Sequence, residues 1–159
     1  MKEFTVAGYE IVKIPIESLV PHEGLIERHV QKIFNEIKND GFLKRPLAVS
    51  RLDKFGHRGK FLIHDGHHRT ESLKRLGCKS VKATVIDFFD EKIKVRKYYN
   101  WEVDFPKEKV IELALNALNG GKLLPRRDRT FIEVGGKLLK LQNNEMVEPA
   151  RPTPLKELK

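Results

Sequence analysis

Five consecutive residues, Asp65, Gly66, His67, His68 and Arg69, stand where a hydrophobic run gives way to an amphipathic pattern in FLIHDGHHRTESLKRLG. A strand-to-helix turn of this kind leaves backbone N–H groups unpaired, and the helix dipole adds partial positive charge. Glycine lets an anion approach the backbone closely, and an arginine grips phosphate with two donors. Together these residues suit a phosphate site. The plain alternative is that Asp65 caps the helix and the histidines are solvated. A metal ion shared by His64, His67 and His68 is disfavoured, because adjacent residues diverge at a helix start. A second candidate is Glu23 in the loop PHEG. A loop carboxylate near a phosphate can take a proton from an attacking hydroxyl, although most loop glutamates are only solvated.

The elements that must position these groups follow from periodicity. Residues 9–14 alternate as a strand, and Pro15 and Pro21 keep the next stretch out of helix. Val30, Ile33, Phe34 and Ile37 recur at helical spacing, and Asp40-Gly41 ends that helix. Residues 46–52 and 60–64 read as paired strands joined by KFGHRG. A helix after Gly66 carries Leu73 and Leu76 and stops at Gly77, and residues 80–88 read as a strand. Residues 92–105 are aromatic-rich and extended. Pro106 opens a helix with the stripe Val110, Ile111, Ala114 and Leu118, and Gly120-Gly121 closes it. TFIEVGGKLLKL reads as a hairpin with a Gly-Gly turn. PARPTPLKELK at the end reads as either an ordered strap or a loose tail.

The expected fold class is α/β (α+β): a small mixed sheet with packed helices and a C-terminal helix-hairpin element. Residues 1–90 would form the core, residues 91–148 would complete the cleft, and residues 149–159 would form a Pro-rich tail. The 159 residues, 40% hydrophobic and 33% charged, suit one core with a solvated surface. No apolar run spans a membrane, and MKEFTVAGYEIVKI lacks the pattern of a signal peptide. The lone cysteine, Cys78, excludes an internal disulfide and fits a cytoplasmic protein. Scarce Gln beside abundant Lys and Glu leans towards a thermophile. The net charge of +9 suits an anionic partner, although the positives are spread along the chain and equally suit mere solubility.

IPIESLVP, ERHVQKIFNEIKNDG, RPLAVSRL and IHDGHHRTESLKRLG, in that order, resemble the ParB/sulfiredoxin superfamily. Sulfiredoxins carry Gly-Cys-His-Arg; His67 replaces that cysteine, which excludes their sulfinic acid chemistry. The DGHHR variant, with Pro21-His22-Glu23 before it and DFFDE after it, looks most like the archaeal ADP-dependent free-serine kinases. That resemblance implies transfer of a phosphoryl group from ADP to the hydroxyl of L-serine or a related small molecule. It implies Glu23 as general base and Asp65, Gly66, His67, His68 and Arg69 as holders of the ADP (or ATP) phosphates. It also implies Mg²⁺, with no obvious dedicated carboxylate ligand. By spacing, Tyr98 matches an aromatic of the family's nucleotide site, and Trp101 is the fallback, placed on the substrate side.

After Leu123-Leu124-Pro125 the sequence departs from the family's Lys-Thr-Thr-Arg-His element, reading Arg126, Arg127, Asp128, Arg129 and Thr130. Three arginines around one aspartate suit a carboxylate or a second phosphate, which makes Arg126, Arg129 and Thr130 candidate substrate-binding residues. The competing classes are a ParB-like DNA-binding protein or nuclease and a non-catalytic nucleotide sensor. The first lacks visible tandem recognition helices and a cluster of metal-binding carboxylates. The second would not need Glu23.

Overall fold

Alternation along the strands and glycine-terminated helical stripes set the element order. The computed structural model describes residues 5–6, 9–97, 100–134, 137–138, 147–148 and 153–159. In chain order the first elements are β1 (Thr5–Val6), β2 (Tyr9–Pro15), β3 (Leu19–Val20), α1 (Glu27–Asp40), β4 (Phe42–Leu43) and β5 (Leu47–Arg51). β6 (Phe61–Asp65), α2 (His67–Arg75), β7 (Ser80–Val85), β8 (Ile93–Lys97), β9 (Asn100–Asp104) and α3 (Lys107–Leu118) follow. β10 (Thr130–Val134), β11 (Lys137–Leu138), β12 (Val147–Glu148) and β13 (Thr153–Pro154) complete the order.

The main sheet has strand order β12-β1-β2-β7-β5-β6-β3. It is mixed: β5 runs parallel to β7 and β3 parallel to β6, while β5–β6 and β2–β7 are antiparallel. A second sheet, β11-β10-β8-β9, stands beside it, and β13 pairs with β4 alone. The α/β class with a small mixed sheet is therefore the observed one. β10 and β11 pair antiparallel with Val134 opposite Lys137, as the hairpin reading requires; its Gly135-Gly136 turn lies outside the described residues.

Strand alternation sorts the core into two layers. Leu47, Val49, Phe61 and Ile63 face a cluster containing Ile37 of α1, Leu73 of α2 and Leu158. Ala48 and Leu62 face the other way, onto Val110 and Ala114 of α3 and onto Ile93, Val95 and Ile132 of the second sheet. The stretches after residue 90 thus share a core with the main sheet.

Three boundaries differ from the sequence reading for local reasons. The strand expected over residues 46–52 spans Leu47–Arg51, since Pro46 has no N–H to give. The strand expected over residues 80–88 ends at Val85, after which the Ile86 N–H turns to the Val49 carbonyl. Pro106 caps α3 from outside rather than starting it, with ψ at 129°. The helix over residues 27–40 ends where expected, with Gly41 left-handed at φ 78°.

The C-terminal residues are a strap. Thr153–Pro154 pairs with Phe42–Leu43, and the Leu155 N–H donates to the Gly41 carbonyl at 3.1 Å. The Leu158 carbonyl accepts the N–H groups of Lys79 and Ser80 at 2.8 and 2.9 Å, and its side chain is completely buried. Leu158→Ala removes that plug and is expected to destabilise the fold by about 3 kcal/mol, read as a lower urea midpoint. An unchanged midpoint would show that the strap is not part of the cooperative fold.

Candidate active site

Glu23 lies between β3 and α1, and the far end of the chain encloses it. The Leu124 N–H donates to the His22 carbonyl at 2.9 Å, and the Gly24 N–H donates to the Leu124 carbonyl at 2.8 Å. This two-bond clasp joins the loop to the segment before Arg126. Glu23 is 2% exposed. Its Oε2 accepts the Thr130 N–H at 2.9 Å and the Thr130 hydroxyl at 3.2 Å, and its Oε1 accepts from Arg126 at 3.2 Å. Burial alone would raise its pKa. Hydrogen bonds with His22 and the Thr130 N–H are among the interactions that outweigh burial and hold it well below the usual carboxylate range. The carboxyl is ionised at neutral pH.

The turn after β6 gives the other wall. Gly66 precedes α2 at φ 116°, and a Cβ there would stand 2.2 Å from Leu47 Cδ2, so only glycine fits. Arg69 reaches back under the turn. Its NH1 donates to the carbonyls of Arg45 and Pro46 at 3.0 and 3.2 Å, and its NH2 donates to Asp65 Oδ2 at 3.0 Å. Burial lowers its pKa to about 10, which leaves it charged at neutral pH. The histidines tie α2 to the Glu23 loop: His67 Nε2 accepts the His22 N–H at 3.3 Å, and His68 Nε2 accepts the Ile26 N–H at 3.1 Å. They point to different partners, as expected for adjacent residues on a helix.

Between these walls lies a cleft of about 460 Å³, within the range of small-molecule sites. Glu23, Asp65, Gly66, His67, His68, Arg69, Arg126, Arg129 and Thr130 all line it, so the structure brings nine of the expected residues together. Lys32, Lys44 and Arg45 add positive charge, Glu36 and Asp40 add negative charge, and Ile33, Ile37, Phe42 and Leu43 add apolar surface. The sequence reading did not single these out as cleft residues, since helix periodicity and strand ends give no sign of facing a cleft. Trp101 lies in β9, and Tyr98 lies outside the described residues. Among the described residues no three His, Cys, Asp or Glu side chains group as metal ligands, and Asp65 is engaged by Arg69.

Two buried histidines make stability depend on pH. Burial, and then the neighbouring His22, push His64 well below its ordinary 6.5 and His67 to about 3. Both are neutral when folded and take up protons below about pH 6.5 when unfolded. The unfolded state then binds more protons, so stability holds above pH 6.5 and is lost as pH falls below it, at up to about 1.4 kcal/mol per unit for each histidine. Urea unfolding at pH 7.5 and 5.5 is expected to differ by on the order of 2 kcal/mol. Equal values would mean that these rings are already charged in the fold.

Comparison with known proteins agrees with this architecture. A curated relative, an ATP-dependent L-serine kinase of Staphylothermus marinus, is 34% identical over 90 residues, covering 57% of this chain and 34% of its own length. An ADP-dependent L-serine kinase of Thermococcus kodakarensis is 27% identical over 90 residues, covering 57% of this chain and 36% of its own. The chain thus spans about a third of the length of the curated relatives it matches. A free serine kinase solved in complex with AMP superposes with a TM-score of 0.53 at 24% identity, covering 60% of this chain and 39% of that one, which shows a shared fold. No helix among the described residues is long and apolar enough to cross a membrane. The model of the ParB N-terminal domain matches residues 2–100, more than half of the chain, and the protein belongs to that family.

Proposed function

We propose that this chain transfers a phosphoryl group from ADP or ATP to the hydroxyl of free L-serine or a closely related small molecule. The observation that carries this reading is Glu23. It is an ionised, buried carboxylate on the wall of a basic cleft, facing the start of α2. A carboxylate has about four lone-pair sites. Thr130 binds Oε2 and Arg126 binds Oε1, so an acceptor that draws Arg126 away opens Oε1 to its hydroxyl. The relatives named as ATP- or ADP-dependent serine kinases support both the donor and the acceptor.

In this reading the phosphates lie against the first turn of α2. Gly66 allows close approach, and the unpaired N–H groups and helix dipole favour negative charge. Asp65 and Arg69 hold the turn rigid from behind. Lys32, Arg45 and Arg129 supply charge around the cleft, and Mg²⁺ arrives with the nucleotide as part of the substrate. The apolar surface at Ile33 and Phe42 receives the nucleoside, and Tyr98 is a further candidate on the nucleotide side. Arg126, Arg129 and Thr130 face the acceptor and suit its carboxylate, and Trp101 is a candidate beside them. As the acceptor oxygen attacks phosphorus, Glu23 takes its proton. The bond from phosphorus to the bridging oxygen breaks, giving AMP from ADP or ADP from ATP. Positioning and electrostatics account for most of such catalysis. The reading places the reaction in a cytoplasm.

Phosphorus NMR with ADP or ATP, Mg²⁺ and L-serine tests the proposal. The expected products are O-phosphoserine with AMP or ADP. Glu23→Gln should bind nucleotide within about threefold of wild type and lose about 10²- to 10⁴-fold in turnover. Wild-type turnover in that variant would remove Glu23 as the base. A chain that binds nucleotide and transfers nothing would be a nucleotide sensor. A chain that binds DNA and no nucleotide would belong to the DNA class.

A further inference from the structure

Glu23 has a neighbour whose proton position is dictated by the backbone. His67 Nε2 lies 3.3 Å from the His22 N–H, and a backbone N–H can only donate. Nε2 is therefore an acceptor, and in the neutral ring the proton sits on Nδ1. That nitrogen lies 3.7 Å from Glu23 Oε1, the oxygen that also receives Arg126. His67 is only 6% exposed, and its ring meets the His22 ring edge-on at a centroid distance of 5.0 Å, so it has little freedom to turn.

We infer that His67 is a positioning residue for Glu23, presenting a fixed Nδ1–H to Oε1, rather than a ligand of the nucleotide phosphates. The inference rests on the phosphotransfer reading and assigns a different task to one residue of its cradle. Nε2 accepts a hydrogen bond from the loop of residues 22–23, and Nδ1 lies just beyond hydrogen-bond length of Oε1. Burial keeps the ring uncharged, with a pKa near 3, so it is a neutral donor and not a counter-charge for phosphate. Its task becomes distinct when an acceptor enters. An anionic acceptor draws Arg126 away from Oε1, and His67 Nδ1–H is the donor left for that oxygen to close on. It holds the carboxylate in line while adding no positive charge beside it, and so lowers the basicity of Glu23 less than a cation at that place would.

Two variants of the 159-residue chain separate the roles. Asparagine places an amide nitrogen near the Nδ1 position, whereas leucine fills the space with no donor. His67→Leu is expected to lower kcat by about 30- to 100-fold, the size of effect that misplacing a reacting group produces. Its Kd for ADP, by calorimetry, should stay within about threefold of wild type. His67→Asn should recover most of that kcat. A rise in Kd of more than about tenfold in both variants would make His67 a phosphate ligand and overturn the inference. Should the leucine variant fail to fold, long-range proton–nitrogen NMR on the wild type decides. The Nδ1–H tautomer, unchanged on ADP addition, supports the inference. An Nε2–H tautomer or a charged ring overturns it. Nucleotide binding without transfer in the wild type overturns the phosphotransfer reading itself. Wild-type turnover together with an unaltered kcat in His67→Leu overturns the positioning role alone.

Discussion

The structure depends on one buried carboxylate. A carboxylate withdrawn from water is strongly unfavourable unless its lone pairs are met. Glu23 meets that condition with donors more than a hundred positions away in the chain, the N–H and hydroxyl of Thr130 and the guanidinium of Arg126. The clasp between His22, Gly24 and Leu124 brings those donors into reach. Glu23 is therefore satisfied only when residues 124–130 are docked on its loop.

The same arrangement divides the labour within DGHHR. Gly66 and the helix start face the open cleft. Arg69 turns inward to bind two carbonyls and Asp65, closing the backbone of the turn onto the segment of residues 45–46. His67 and His68 bind the N–H groups of His22 and Ile26, and so anchor the Glu23 loop to α2. A motif that reads as a row of phosphate donors is also the joint between two elements. Rigid support of this kind is what holds a reacting group in place.

Features with a local cause were legible in the sequence. The α1 stripe, its end at left-handed Gly41 and the strand-Gly-helix turn at Gly66 all follow from residues within a few positions of one another. Residues 65–69 and Glu23 were legible from residue type and turn position, strengthened by the resemblance, whereas Arg126, Arg129 and Thr130 stood out where the sequence departs from it. Less legible was what depends on distant pairing. Leu19–Val20 reads as part of a proline-interrupted turn, yet it is an edge strand beside Phe61–Leu62, with too few residues to show alternation. The partners of Glu23 and the inward turn of Arg69 left no periodic mark. The strap was ambiguous because PTPLKEL holds few apolar residues, and the buried plug is a single leucine, Leu158.

That strap borders the cleft through its partner. Phe42 and Leu43 pair with Thr153–Pro154 on one side and line the cleft on the other, so a single short strand separates the C-terminal residues from whatever occupies the site. A ligand that shifts Phe42 or Leu43 would link docking of the strap to occupancy of the cleft. Such linkage is reciprocal: each changes the other by the same free energy. The last seven residues would then act as a reporter, and the exchange of the Leu155 amide would register a ligand that never touches it.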